Sequence, residues 1–255
     1  RMSPMALLRA VKKCDLLISG GGSLLQDVTS SKSLHYYLSI IRCAEFFHKK
    51  VFIYSQGIGP IDRPGNRRAA AAALKRADGI VVRDERSAAL LEEIGIARDK
   101  VVITADPVIR MKKPDGDVGA EILRKAGVSL DGRLTVGWAI RERDTDSRFV
   151  KELLRSIQMM KDKYNAQSVL IPFHYEEDGE VCRHIAAQLP DDTAVCLNEK
   201  YLSEDMLSII GNMDLLVGVR LHSLIYAAIM GVPLIGISYD PKCTAFLNSV
   251  GLDKL

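Results

Sequence analysis

Nine short apolar runs punctuate the chain, at 16–19, 51–55, 79–82, 101–104, 134–139, 168–172, 194–197, 215–219 and 233–238. Most are unbroken stretches of β-branched residues and leucine, the pattern of strands buried on both faces. Between them lie stretches of helical length and spacing, at 67–76 (alanine-rich), 87–94, 148–164, 179–188 and 203–211. Strand and helix alternating in this way predict an α/β fold of parallel sheets with helices on both sides. The polar stretch 111–117, MKKPDGD, reads as a linker between a first Rossmann-like domain, 1–112, and a second, 113–255. Two such sheets facing one another leave a cleft, with ligands at the carboxyl ends of strands and at helix N-termini.

Composition narrows the picture only a little. With 255 residues, 47% hydrophobic and 26% charged, the chain is globular and long enough for a large core. A net charge of +3 is too small to imply nucleic acid by itself. The five cysteines, at 14, 43, 182, 196 and 243, form no Cys-x-x-Cys pair. An odd, scattered set suits neither a disulfide framework nor zinc, so reduced thiols in a cytoplasmic protein are expected. No apolar run approaches the roughly 18 residues of a spanning helix, and no signal-peptide pattern is present. The chain starts at Arg1 rather than methionine, the mark of a trimmed or partial piece of something longer.

Candidate chemistry clusters where strands break off. SGGGSLLQD (19–27) follows a strand; Gly20, Gly21 and Gly22 let backbone approach a ligand, and the helix expected to follow offers free amides to an anion. The stretch has neither the Walker spacing nor Gly-x-Gly-x-x-Gly. In YSQGIGPIDRPGNRR (54–68), Gln56 suits a sugar hydroxyl, and Arg63, Arg67 and Arg68 suit a phosphate or plain solvent. In VRDERS (82–87), Asp84 or Ser87 suits a helix cap as well as a ligand. Arg141, just past the 134–139 strand, is placed for an anion, whereas Arg143 reads as solvated. His174 with Glu176 and Glu177 lacks the further ligands a zinc site needs, so no metal is expected. VRLHS (219–223) puts Arg220 and His222 at a strand-to-helix turn, and Lys242 follows the next strand. A guanidinium grips a carboxylate or phosphate as a fork, and an imidazole exchanges a proton near neutral pH. Together the three suit a small, highly anionic ligand.

GGGSLLQD, SQGIGP, RDERS, RLHSLIYA and YDPK, in this order along nearly the whole chain, resemble the polysaccharide pyruvyltransferase family, in particular its bacterial cell-surface-anchoring (CsaB-type) members. The resemblance implies two Rossmann-like domains in the GT-B arrangement, the first truncated at its N-terminus here. It implies transfer of a pyruvyl group from phosphoenolpyruvate to a sugar as a 4,6-cyclic ketal. For the CsaB-type branch the implied acceptor is N-acetylmannosamine of a lipid-linked disaccharide, whose product serves a secondary cell wall polymer and S-layer anchoring. On this reading His222 is the general acid, and Arg220 and Lys242, with Arg141 beside them, hold the donor. Gln56, Arg63 and Gly20–Gly22 fall to the acceptor side. No cofactor is expected, since the donor is already activated. Peripheral contact with the inner face of a membrane is expected through the acceptor and the basic loop 63–68. Two alternatives remain open: a sugar-nucleotide-dependent glycosyltransferase on the same fold, and a sugar- or anion-binding module without chemistry.

Overall fold

The computed structural model describes residues 3–28, 30–141, 147–238 and 240–252. The chain divides into two compact units, Arg1–Pro107 and Val108–Leu255. The break falls a few residues before the 112/113 boundary read from the sequence. Stretch 111–117 belongs to the second unit, where Asp117 caps a helix by accepting the Ala120 N–H at 3.2 Å. Among the described residues no helix is long and apolar enough to cross a membrane.

The first unit runs α1 (Pro4–Lys13), β1 (Leu16–Gly20), α2 (Ser31–Phe46), β2 (Lys50–Gln56), α3 (Pro64–Leu74), β3 (Gly79–Val82), α4 (Glu85–Glu93) and β4 (Val101–Ile103). In α2, Leu34, Leu38 and Ile41 recur at helical spacing and form a buried stripe. The Ser30 hydroxyl caps this helix by accepting the Lys32 N–H at 3.1 Å. The four strands are parallel and stand in chain order, β1-β2-β3-β4. Right-handed crossovers in a monotonic order send every connecting helix to the same face. Leu34, Leu38, Leu74, Ala88 and Leu91 from these helices accordingly share one core with Val51, Ile53, Ile80 and Val82. The opposite face carries Ile18, Tyr54 and Val102, which stay 59%, 46% and 56% exposed. Burial on both faces, expected for most strands, therefore fails in this sheet, and its one-sided topology is the reason.

The second unit runs α5 (Val118–Lys125), β5 (Thr135–Ala139), α6 (Ser147–Tyr164), β6 (Gln167–Leu170), α7 (Tyr175–Ala186), β7 (Ala194–Cys196), α8 (Ser203–Gly211), β8 (Leu215–Gly218), α9 (Leu221–Met230), β9 (Leu234–Gly236) and α10 (Pro241–Ser249). Its sheet is parallel with order β7-β6-β5-β8-β9. The chain builds outward from β5 to β7, then returns to the other side of β5. That reversal places helices on both faces. One core gathers α5, α8, α9 and α10, and another gathers α6 and α7 around Trp138 and Val136. Every residue of β5 and β6 is buried. Between β5 and β8 lies the switch point, where loops leave in opposite directions and open α/β sheets place their ligands.

Candidate functional site

The carboxyl edge of the second sheet is assembled by register. Ala139 of β5 pairs with Gly218 of β8, and Gly218 pairs with Gly236 of β9. Arg141 and Arg220 each stand two residues beyond the first pair, one on either side of the switch point. Gly218 is needed for the turn, because a Cβ there would collide with Ser223 Oγ and Leu224 of α9. Arg220 is the extended residue before α9, and its carbonyl accepts the Ser223 hydroxyl at 2.6 Å. His222 is exposed in the first turn of α9, where main-chain N–H groups lack helical partners. Lys242, half-buried, occupies the matching place in α10. Asp240 caps that helix by accepting the Lys242 N–H at 3.0 Å. Helices α9 and α10 start from neighbouring strands and pack together, so their first turns are neighbours as well.

Arg220 is not presented as a bare cation. Its Nη2 donates to Asp178 Oδ1 at 2.5 Å and lies 3.4 Å from Glu177 Oε2. Asp178 is fully buried, and its other oxygen accepts the His174 N–H at 2.9 Å. Both carboxylates sit in the first turn of α7, which leaves β6. Since β5 separates β6 from β8, the ion pair spans the end of β5, close to where Arg141 departs. The sequence reading weighed Glu177, with His174 and Glu176, as a metal ligand and set that aside, and it missed Asp178. The available signal was EED at the start of a helix after a strand; the strand order that brings it to Arg220 was not readable. Glu176 turns elsewhere, accepting from Lys200 at 2.7 Å, and that hydrogen bond holds its carboxyl below the usual range. Arg143, read as solvated, and Tyr239 of the YDPK motif lie outside the described residues.

A cavity of about 340 Å³ opens between α6 and strands β5, β8 and β9, walled mainly by apolar side chains including Trp138, Phe149, Met160, Val217 and Ile237. None of Arg141, Arg220, His222 and Lys242 lines it. Such a wall, with Glu152 and Ser156 its only polar members among the described residues, suits hydrocarbon and offers no cation to a small dianion.

In the first unit, Gly20 ends β1, and Gly21 and Gly22 adopt φ values of +78° and +57°, which side-chain-bearing residues rarely take. The turn does not open directly into a helix, as the sequence suggested. Leu25 is drawn fully into the core and bridges Ile58, and α2 starts only at Ser31. Gln56, read as a sugar contact, is fully buried, and its amide nitrogen donates to Ser19 Oγ at 3.1 Å. Arg83 is also internal, bonded to Asp106 at 2.8 Å and to Ser23 at 3.1 Å. Asp84 acts as the helix cap, accepting the Ser87 N–H at 2.7 Å.

Arg63 is exposed at the start of α3 and donates from Nη1 to Ser31 Oγ at 3.0 Å. Arg67 is engaged by the Ile61 carbonyl at 2.7 Å and by Glu93 at 3.2 Å, and Arg68 is exposed. The buried carboxylate of Asp27, the last residue of the glycine motif, organises this loop. It accepts the N–H groups of Asp62 at 3.0 Å and Arg63 at 3.2 Å, and the Asn66 amide at 2.7 Å. Burial pushes the Asp27 carboxyl up, but these three hydrogen bonds, with the Arg63 charge, together outweigh it and hold the group below its ordinary range.

Comparison with solved structures identifies the fold. The chain superposes on the UDP-GlcNAc 2-epimerase of Methanocaldococcus jannaschii with a TM-score of 0.67, at 14% identity, covering 96% of this chain and 68% of that one. For the Staphylococcus aureus protein MnaA, solved with UDP, the values are 0.64, 13%, 96% and 64%. For Anabaena HepE, solved with UDP-glucose, they are 0.55, 13%, 91% and 62%. At these identities the likeness is one of fold, the two-sheet α/β class expected from the sequence. The amylovoran biosynthesis protein AmsJ of Erwinia amylovora is 22% identical over 261 residues, which cover 96% of this chain and 61% of AmsJ. The chain thus spans about three-fifths of that relative's length. The family model described as polysaccharide pyruvyl transferase matches residues 2–241, almost the whole sequence, and the chain belongs to that family.

Proposed function

We propose that this protein transfers a pyruvyl group from phosphoenolpyruvate to two hydroxyls of a sugar, with the donor held at the carboxyl edge of the second sheet. The observation that carries this reading is the register that places Arg141, Arg220, His222 and Lys242 around one switch point and two adjacent helix starts. Phosphoenolpyruvate joins a carboxylate and a phosphate on three carbons, and removing such charge from water demands cationic and N–H partners. Among the described residues, Lys242, Arg220 and Arg141, with the first turn of α9, are groups of that kind at this edge.

The chemistry needs a proton on the methylene carbon of the donor, supplied by His222. The adjacent carbon becomes cationic, and one sugar hydroxyl adds there and loses its proton. The C–O bond to phosphate breaks, phosphate leaves with the bonding pair, and the second hydroxyl closes the ring and loses its proton. One proton is consumed and two are released, one of them carried away on phosphate. A well-placed general acid contributes about 10²–10⁴-fold. Lys242 and Arg220 stabilise charge as it moves from enol to phosphate. Arg63 and the Gly20–Gly22 turn are assigned to the acceptor. The buried Gln56 is assigned there only through Ser19, which it orients. The acceptor is N-acetylmannosamine on a lipid-linked disaccharide, as in CsaB-type members serving S-layer anchoring, and reaction occurs at the cytoplasmic membrane surface.

Thermal shift separates this from a sugar-nucleotide glycosyltransferase. Phosphoenolpyruvate at 100 times its Kd should stabilise the protein by about 2.7 kcal/mol, and a panel of UDP- and GDP-sugars should not. Stabilisation by a sugar nucleotide with none by phosphoenolpyruvate would reverse the assignment.

A further inference from the structure

We infer that Asp178 is a positioning residue for the donor site, holding the guanidinium of Arg220 in the orientation that receives the anion. The inference rests on the donor reading above. Asp178 is fully buried, and each of its oxygens is engaged, one by the His174 N–H at 2.9 Å and one by Arg220 Nη2 at 2.5 Å. The main-chain bond fixes the carboxylate to the first turn of α7, so the carboxylate is a rigid post rather than a mobile counter-ion. Arg220 approaches from β8, on the far side of β5. With adjacent strands about 4.8 Å apart, its side chain is drawn across the switch point towards β6, over the exit of Arg141.

A long arginine side chain loses rotamer freedom when it closes on an anion. Here that loss is taken during folding, so the ligand meets a guanidinium already set in place. A guanidinium carries five donors, and among the described residues the contacts to Asp178 and Glu177 fall on one nitrogen, Nη2. These two contacts hold the group by one corner. They also offset part of its positive charge, so more of the attraction for a dianion falls on Lys242 and Arg141, while Arg220 adds direction to its share.

Steady-state kinetics with phosphoenolpyruvate as the varied substrate test this. Asp178→Asn keeps the shape and removes the charge. It should raise KM for phosphoenolpyruvate roughly tenfold, the scale of freeing one long side chain, with kcat within threefold. Asp178→Glu, which keeps the carboxylate, should recover part of the loss. In an Arg220→Gln background, Asp178→Asn should change KM by less than twofold, because the group it acts through is gone. A merely structural residue would lower the active fraction, and so kcat, in both backgrounds and leave KM alone; that result, or independent effects on KM in the cycle, overturns the inference. If Asp178→Asn does not fold, Arg220→Lys decides, since an ammonium cannot reproduce the oriented plane: a raised KM supports the inference and a parental KM overturns it. Absence of turnover with phosphoenolpyruvate in the parent would remove the donor reading and this inference with it, an outcome distinct from a parent that turns over and variants that do not respond.

Discussion

Asp27→Asn changes one atom of a buried side chain and tests how the first unit holds its loops. In the parent, Oδ1 accepts one N–H, from Asp62, and Oδ2 accepts two donors, from Arg63 and Asn66. The amide of the variant has one acceptor and one donor end. Its least costly orientation turns the nitrogen towards Asp62, leaving two N–H groups face to face and weakening the other two bonds by removing the charge. A hydrogen bond to a charged group contributes about 1.5–3 kcal/mol, and a buried unsatisfied donor costs about 1–3 kcal/mol. The expected loss is therefore about 3 kcal/mol, or roughly 6–12 °C in Tm for a chain of this size. The assay is guanidinium unfolding followed by circular dichroism, repeated from pH 7 to pH 3. Because the folded-state pKa is depressed, the carboxylate's contribution is fully present above the ordinary value near 3.9 and is lost as pH falls through the folded value. The gap between parent and variant should be flat from pH 7 to about pH 5 and narrow below about pH 4. A gap under about 0.5 kcal/mol at pH 7, or one that is undiminished at pH 3, would refute the role given to this carboxylate.

Two further expectations concern packing and surface charge. Gly119→Ala places a Cβ on the backbone carbonyl of Ser208, where Gly119 N–H also meets Ser208 Oγ at 2.8 Å, so α5 must move off α8. Overpacking of this kind costs about 1–3 kcal/mol or more, read as a lower midpoint in guanidinium, and an unchanged midpoint would contradict the close approach of these two helices. Glu93→Ala removes the half-exposed ion pair with Arg67 and should change stability by less than about 0.5 kcal/mol in the same assay, since exposed pairs are screened; a larger loss would make that pair structural.

How much of this was legible in the sequence differs between the two units. All nine strands among the described residues lie within or overlap the apolar runs, because parallel strands leave continuous runs of Val, Ile and Leu whatever their neighbours. Strand order leaves no such trace. It decides that Ile18 and Tyr54 stay exposed while Trp138 and Val136 are covered, and it brings Asp178 to Arg220 across 42 positions of sequence. Gln56 shows the same limit: a polar residue at a strand end reads as a ligand contact, and only the pairing of β1 with β2 reveals that it serves Ser19. Helix α2 has the i, i+4, i+7 stripe of Leu34, Leu38 and Ile41, but its two tyrosines and two flanking phenylalanines blur the polar face. At the carboxyl edge of the second sheet, Arg220, His222 and Lys242 were legible because each falls in the turn after a strand or in the first turn of the helix that follows it, and a parallel sheet brings all such positions to one edge.

The proposed donor site is tested most directly by His222→Ala, assayed as phosphate released from phosphoenolpyruvate in the presence of a lipid-linked amino-sugar acceptor. His222 is exposed, so the variant should keep the parent's Tm within about 2 °C. Its kcat should fall by at least about 10²-fold, the contribution of a general acid. A folded His222→Ala protein that releases phosphate at the parent's rate would contradict the placement of the chemistry at this edge.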